Sequence, residues 1–336
     1  MRFLRKTDRW PPAVAATLLF LFAQGLCCTP PAKDARTAGD IAVPAFSQTT
    51  RPSTKSIHSS EETVPETENW VENDHVVEVA RKASMFGEII VFDQGGYRCL
   101  AFNDYENLQS CVSLARKLDF RFEYIKMMFV TSLAVDNLSR VLILGLGGGS
   151  LPRLFAAVYP DTAIDVVEID PAVVKAAQKY MGYKAAKNTR LHILDAAEFV
   201  KKRSSKNIKA ASGFSGYDLI LVDCYDDKDI PAHLLSKGFV RNLASIANPG
   251  GIIAVNLAMD APHYTTTVVR YSENFTGIWL MRGIRSGNHI FGFGNHFPDR
   301  DTMNRRAAEA DKKLLFSSKN ILETFGYPRH GPKPNP

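Results

Sequence analysis

From Arg140 onward the chain alternates short apolar runs with longer segments whose apolar residues recur at helical spacing. Val141–Leu144 is continuously apolar, as expected of a parallel strand covered on both faces. Leu151–Val158 reads as a helix and Ala163–Val167 as the next strand. Pro171 then opens a helix at its first position, where the missing N–H is not needed. The alternation continues with strand Leu191–Leu194, helix Ala196–Lys202, strand Leu219–Val222, helix Ser236–Ile246, a turn at Asn248-Pro249-Gly250-Gly251 and strand Ile252–Asn256. A helix near Tyr264–Phe275 leads to two short strands, Ile278–Met281 and Asn288–Phe293, joined by a glycine-containing turn. Such alternation predicts a doubly wound α/β sheet that ends in a hairpin.

Upstream the pattern differs. Val76, Val77 and Val79, then Glu88–Phe92, then Tyr97–Phe102 read as short strands, separated by Gly87 and by the turn Asp93-Gln94-Gly95-Gly96. They predict a small antiparallel β unit of about 35 residues, within the size such hairpin units take. A helix is expected from about Phe120 to Val135, with Phe122, Ile125, Met128 and Phe129 on one face. The expected organisation is 1–28 signal peptide or membrane anchor, 29–70 linker, 71–110 small β domain, 111–300 Rossmann-like nucleoside-binding domain and 301–336 C-terminal tail.

The segment before Trp70 lacks apolar periodicity and is rich in Pro, Ser, Thr and Glu, so it cannot bury enough surface to offset the entropy of ordering. Ahead of it, Arg2, Arg5, Lys6 and Arg9 precede an apolar run from Ala13 to Leu26, which breaks at Cys27-Cys28-Thr29-Pro30-Pro31. A basic region followed by a short apolar one predicts a secretory signal peptide, with an uncleaved anchor and a lipid anchor at Cys27 as alternatives. The expected location is therefore secreted, periplasmic or membrane-anchored, with membrane association through the N-terminus.

Charge adds little. The net charge is +6, and residues 1–74 hold 8 Lys/Arg against 9 Asp/Glu, so the excess belongs to the rest of the chain. The basic run Lys201, Lys202, Arg203, Lys206, Lys209 has no interleaved aromatics and reads as a solvated helix end, so no nucleic-acid partner is expected. The five cysteines form no CxxC pair and no His/Cys cluster. Neither a metal site nor a disulfide framework is predicted, and Cys99, Cys111 and Cys224 are expected as buried thiols.

Four stretches carry candidate chemistry. Leu144-Gly145-Leu146-Gly147-Gly148-Gly149-Ser150 follows the first parallel strand and opens a helix; glycines there let the backbone approach a ligand, so Gly145, Gly147 and Gly149 are cofactor-binding candidates. Val167-Glu168-Ile169-Asp170-Pro171 ends the second strand. An acid about 20 residues after a glycine loop can accept from ribose hydroxyls, which selects Glu168, while Asp170 before Pro171 suits a helix cap. Asp195, with Ala196, ends the third strand, where the carboxylate can accept from an adenine amino group or cap the following helix. Tyr217–Val222 runs into Asp223-Cys224-Tyr225-Asp226-Asp227, an acidic loop at a strand end that can hold a cationic amine and take its proton, or stand as a solvated turn.

Over roughly residues 75–295 the order of β unit, glycine loop, VEIDP, strand-end Asp, YDLILVD and NPGG resembles the spermidine synthase family, the polyamine aminopropyltransferases. The resemblance implies a Rossmann-like, class I methyltransferase-type sheet and a decarboxylated S-adenosylmethionine donor. It puts Glu168 on the ribose, Asp195 near the adenine and Asp223 as catalytic base, with Tyr124 and Asp226 on a small-molecule amine acceptor. It also implies a homodimer. The chain departs from the family pattern at Gly148, where an aspartate is usual. Of the Tyr-His-Glu triplet on the helix before the sheet only Tyr124 remains, and the usual glutamine before the first hairpin has no counterpart near Val76. Gly-Leu-Gly-Gly-Gly-Ser-Leu-Pro also resembles related domains assigned to protein methyltransferases, which implies S-adenosylmethionine as an alternative donor. A nucleoside-binding relative without catalysis is the third reading.

Overall fold

The computed structural model describes residues 75–205, 215–226, 230–285 and 287–328. The expected signal peptide and linker, Lys206 and Lys209, Asp227 and the last eight residues lie outside the described residues.

Two sheets are formed. The first is antiparallel, in the order β1 (Val77–Ser84), β2 (Gly87–Gln94), β3 (Tyr97–Phe102), β4 (Leu108–Ser113). The expected three-stranded unit thus gains a fourth strand, whose polar Gln109 and Ser110 break the apolar alternation that marks the others. One correction concerns the cysteines. Cys99 and Cys111 are not thiols but a disulfide, because antiparallel β3 and β4 set them directly opposite each other with Cα atoms 4.1 Å apart. Cross-strand register is invisible to a count of spacings. Cys224 is the free cysteine among the described residues.

The second sheet has seven strands in the order β10-β11-β9-β8-β5-β6-β7. They are β5 (Arg140–Leu144), β6 (Ala163–Glu168), β7 (Thr189–Ile193), β8 (Tyr217–Val222), β9 (Ala247–Ala258), β10 (Gly277–Arg282) and β11 (Asn288–Gly294). Only β11 runs against the rest, inserted between β9 and β10. The apolar runs of the central strands have a simple cause: Val141 and Ile143 enter the core on one face, Leu142 and Leu144 the core on the other. Both faces are covered, so neither can be polar. Asn248-Pro249-Gly250-Gly251, expected as a turn before β9, lies inside that strand where its register on β8 shifts.

The connecting helices are α1 (Glu123–Val130), α2 (Ser150–Val158), α3 (Pro171–Lys179), α4 (Ala196–Ser204), α5 (Lys237–Ser245) and α6 (Tyr264–Ser272). Helix α1 starts later than its periodicity predicts, because Phe120 is held in a bridge to Val112 of β4, and it tightens into a 3-10 turn at Thr131–Ala134. Asp170 caps α3 by accepting from Ala172 N at 2.7 Å, and its other oxygen accepts from Ser84 Oγ and Met85 N, which fastens the β1–β2 turn to the large sheet.

Residues 301–328 are not a tail. They form α7 (Arg300–Asp311) and α8 (Ser318–Phe325), which bury Met303, Ala307, Ala310 and Leu322 in the core that contains α1. Arg306 donates to the carbonyls of Leu133 and Val135, and Trp279 Nε1 donates to Gly326 O at 2.9 Å. Only a narrow stripe of α7 is apolar, too little to mark a packed helix by periodicity alone.

Candidate functional site

The first parallel strand, β5, has β6 on one side and β8 on the other, so chain order reverses beside it. At such a switch point the loops leaving neighbouring strands diverge and open a crevice at their carboxyl ends. Here a cavity of about 550 Å³ sits under the small antiparallel sheet. Its floor comes from the loops after β5, β6, β7 and β8; its walls include Phe86, Phe102, Gln109 and Ser110 of the small sheet and its turns.

Of the expected site residues, Gly145, Gly147, Glu168, Asp195 and Ala196 line this cavity, as do Tyr124, Asp223 and Asp226. Gly149 does not. It stands at the N-cap of α2 with φ +78°, and a side chain there would run into the Tyr183 ring. At Gly145 the need for glycine is steric: φ is +99°, and a Cβ would lie 2.1 Å from the carbonyl oxygen of Asp223. The two loops are closed on one another by Asp223 N donating to Leu144 O at 2.9 Å.

Glu168 is buried, and its oxygens accept from Leu146 N at 2.9 Å and Asp170 N at 3.0 Å. Burial pushes its carboxyl above the usual range, and the backbone donors oppose that rise. Each oxygen retains a lone pair, which suits a diol donating from the cavity. Asp195 does cap α4, accepting from Glu198 N, and its second oxygen accepts from His233 Nε2 at 2.8 Å. His233 lines the cavity and carries no signal in the sequence.

Asp223 opens onto the cavity but is otherwise enclosed by protein, and this desolvation pushes its pKa up to about 6, against the lowering effect of a 2.8 Å bond from Asn256 Nδ2. Tyr124 and Cys224 also line the cavity, and burial holds both well above their usual values, so neither ionises near neutral pH. Among the described residues, Glu106, Glu168, Asp195, Asp223 and Asp226 face the cavity against the guanidinium of Arg285. Net negative charge in a crevice concentrates cationic ligands. Sequence reasoning missed Asn256 and Asn288; the signal for Asn256 was a lone polar residue ending an apolar strand.

Position 148 departs from the expected family residue for a visible reason. A Cβ on Gly148 would come within 2.6 Å of Ser110 Oγ and 3.0 Å of Met181 Cε, so an aspartate there would require both side-chain ends to shift. Ser110 instead lies 3.4 Å from Ser150 Oγ. Among the described residues no group of three His, Cys, Asp or Glu could hold a metal ion.

A switch-point crevice with a glycine loop, a buried acid at the end of β6 and an enclosed carboxylate after β8 is the site of a transferase on a class I methyltransferase-like sheet. The family model for the spermine/spermidine synthase domain matches residues 122–277. A polyamine aminopropyltransferase of Vibrio vulnificus (strain CMCP6) is 31% identical over 217 residues, which cover 63% of this chain and 70% of that protein. The chain belongs to the spermidine synthase family. Human eEF1A lysine and N-terminal methyltransferase is 30% identical over 124 residues, 35% of this chain and only 17% of that protein. Among solved structures, a spermidine synthase in complex with the transition-state analogue AdoDATO superposes with a TM-score of 0.59 at 19% identity, covering 75% of this chain and 86% of the other.

Proposed function

We propose that this protein moves an aminopropyl group from decarboxylated S-adenosylmethionine to an amine acceptor. The observation that carries the reading is Asp223: a cavity-facing carboxylate beside the glycine loop whose pKa of about 6 lets it hold a proton taken from an amine and still be ionised at neutral pH. The amine nitrogen forms its new bond to the donor methylene made electrophilic by the sulfonium. The C–S bond of that methylene breaks with its electron pair going to sulfur, and neutral methylthioadenosine leaves. Asp223 accepts the proton that the attacking amine must lose, Glu168 takes the ribose hydroxyls, and Asp195 with Ala196 borders the adenine. Tyr124 and Asp226 border the acceptor, and the acidic lining favours a cationic donor and a cationic amine over anionic ligands.

Methyl transfer from S-adenosylmethionine is the second reading, supported by one observation: Ser110 and Met181 fill the space that an aspartate at position 148 would need. Calorimetry on the full chain separates the two. Tighter binding of decarboxylated S-adenosylmethionine and methylthioadenosine than of S-adenosylmethionine, with aminopropylated amine found by mass spectrometry, is the expected result. The reverse preference with methylated product would replace it, and no binding of any of the three would end both readings.

We also propose that the folded part works outside the cytosol. Two independent features support this: the basic-then-apolar N-terminal segment, and the Cys99–Cys111 bond, a type that persists in oxidising compartments. When the full chain is expressed in a bacterial host and alkylated under denaturing, non-reducing conditions, Cys224 is expected to be labelled and Cys99 and Cys111 protected. Labelling of all three would count against export.

A further inference from the structure

Two carboxamides in the cavity have no part in the chemistry above. Asn256, 2% exposed, lies near the end of β9, the strand next to β8. Its Nδ2 donates to Asp223 Oδ1 at 2.8 Å, and its Oδ1 accepts from Asn288 Nδ2 at 3.0 Å. Asn288 opens the antiparallel strand β11 and lines the same cavity. The end of β9 is also tied to the Asp223 loop: the Tyr225 hydroxyl donates to Asn256 O at 3.1 Å and accepts from Ala258 N at 2.8 Å. Tyr225 is only two residues from Asp223, so these bonds pin the loop to the strand end.

We propose that Asn256 is the positioning residue of Asp223 and that Asn288 sets the orientation of its amide. This inference rests on the reading of Asp223 as base. An amide offers a donor end and an acceptor end, and its oxygen turned toward a carboxylate would set lone pair against lone pair. Asn288 presents an N–H donor, which satisfies the oxygen of Asn256 and leaves its NH2 facing Asp223. Two consequences follow for the base. The bond to Asp223 Oδ1 fixes the plane of the carboxylate and leaves Oδ2 the less engaged oxygen for the incoming proton. The same bond favours the ionised carboxylate and opposes the effect of enclosure, because a hydrogen bond to the charged form stabilises it. The second amide comes from β11, the strand that runs antiparallel beside β9.

Several other titratable groups share the cavity with Asp223. They are Tyr124 on α1, Cys224, Tyr225 and Asp226 in its own loop region, Glu168 at the end of β6, and Glu106, Asp195, His233 and Arg285. Tyr124 and Cys224 stay neutral near physiological pH, and the side-chain hydrogen bond that lowers the pKa of Asp223 is the one from Asn256.

The test reads Asp223 itself. In the full chain, the Asp223 carboxyl is titrated by ¹³C NMR with labelled aspartate, using Asp223→Asn to assign the signal, in the parent, in Asn256→Leu and in Asn288→Leu. The midpoint is expected to rise by about one pH unit, a tenfold change in proton affinity, in Asn256→Leu, and by a smaller amount in Asn288→Leu. The acid limb of kcat/KM moves with it, and nucleoside affinity stays within about twofold, since the nucleoside contacts lie on other strands. Adding Asn288→Leu to Asn256→Leu produces no further shift, because the second amide acts through the first. An unchanged midpoint in Asn256→Leu overturns the proposal. Should that variant not fold, an unchanged midpoint in Asn288→Leu, whose side chain is less buried, does so. Failure of the underlying reading is separate: Asp223→Asn would keep full turnover, while the titration still reports on Asn256.

Discussion

Asp223→Asn is expected to lower kcat/KM for aminopropyl transfer by roughly 10²–10⁴-fold, the contribution of a positioned general base. Binding of methylthioadenosine should change little. The substitution keeps the shape of the side chain and an oxygen for Asn256 Nδ2 to donate to, but it removes the group that can take the amine proton. The pH profile gives the sign. Below a pKa of about 6 the carboxyl is protonated and cannot act as base, so log kcat/KM of the parent rises with pH toward about 6 and contributes no further increase above it. The variant lacks that limb. Steady-state kinetics across this range checks both features, and turnover near the parent rate with the limb intact would remove Asp223 from the reaction.

Glu168→Ala should weaken nucleoside binding by roughly 10–100-fold under both transfer readings. A hydrogen bond to a charged acceptor is worth about 1.5–3 kcal/mol, and the ribose would lose its carboxylate partner. The loss extends beyond the ligand, since Leu146 N and Asp170 N both donate to Glu168. Without it two backbone donors lose their acceptor, and the glycine loop is left with its backbone bond from Gly145 N to Val167 O as a tie to the end of β6. Glu168→Gln, which keeps an acceptor oxygen, is expected to fall between the parent and the alanine variant. Calorimetric titration with methylthioadenosine decides this, and unaltered affinity in the alanine variant would reject the ribose role.

Much of this site was legible before folding because its parts are local. A glycine loop between a strand and a helix, an acid before Ile169-Asp170-Pro171, and an apolar strand ending in Asp223 are short-range patterns, and each owes its meaning to the strand end on which it sits. The switch-point rule then places them in one crevice without knowledge of any side-chain contact. Gly149 shows the limit of such reasoning: it belongs to the same motif, yet its absent side chain makes room for Tyr183 rather than for a ligand.

What the sequence by itself determined was the alternation of strand and helix, the family to which the chain belongs and the acids that end its parallel strands. The alternation follows from periodicity and the acids from chemistry a few residues apart, while the family follows from the resemblance of its motifs. Only the tertiary structure decided the rest. The Cys99–Cys111 pair depends on cross-strand register, and the packing of α7 and α8 on a few buried side chains among polar ones. The closure of position 148 by Ser110 depends on how the small sheet seats on the large one. The bond from Asn256 to Asp223 joins residues 33 positions apart on neighbouring strands, and the one from Asn288 requires β11 to run antiparallel beside β9. The physical reason is the same in each case: these interactions pair groups distant in sequence, and only the packing of the two sheets brings them within hydrogen-bonding distance or van der Waals contact.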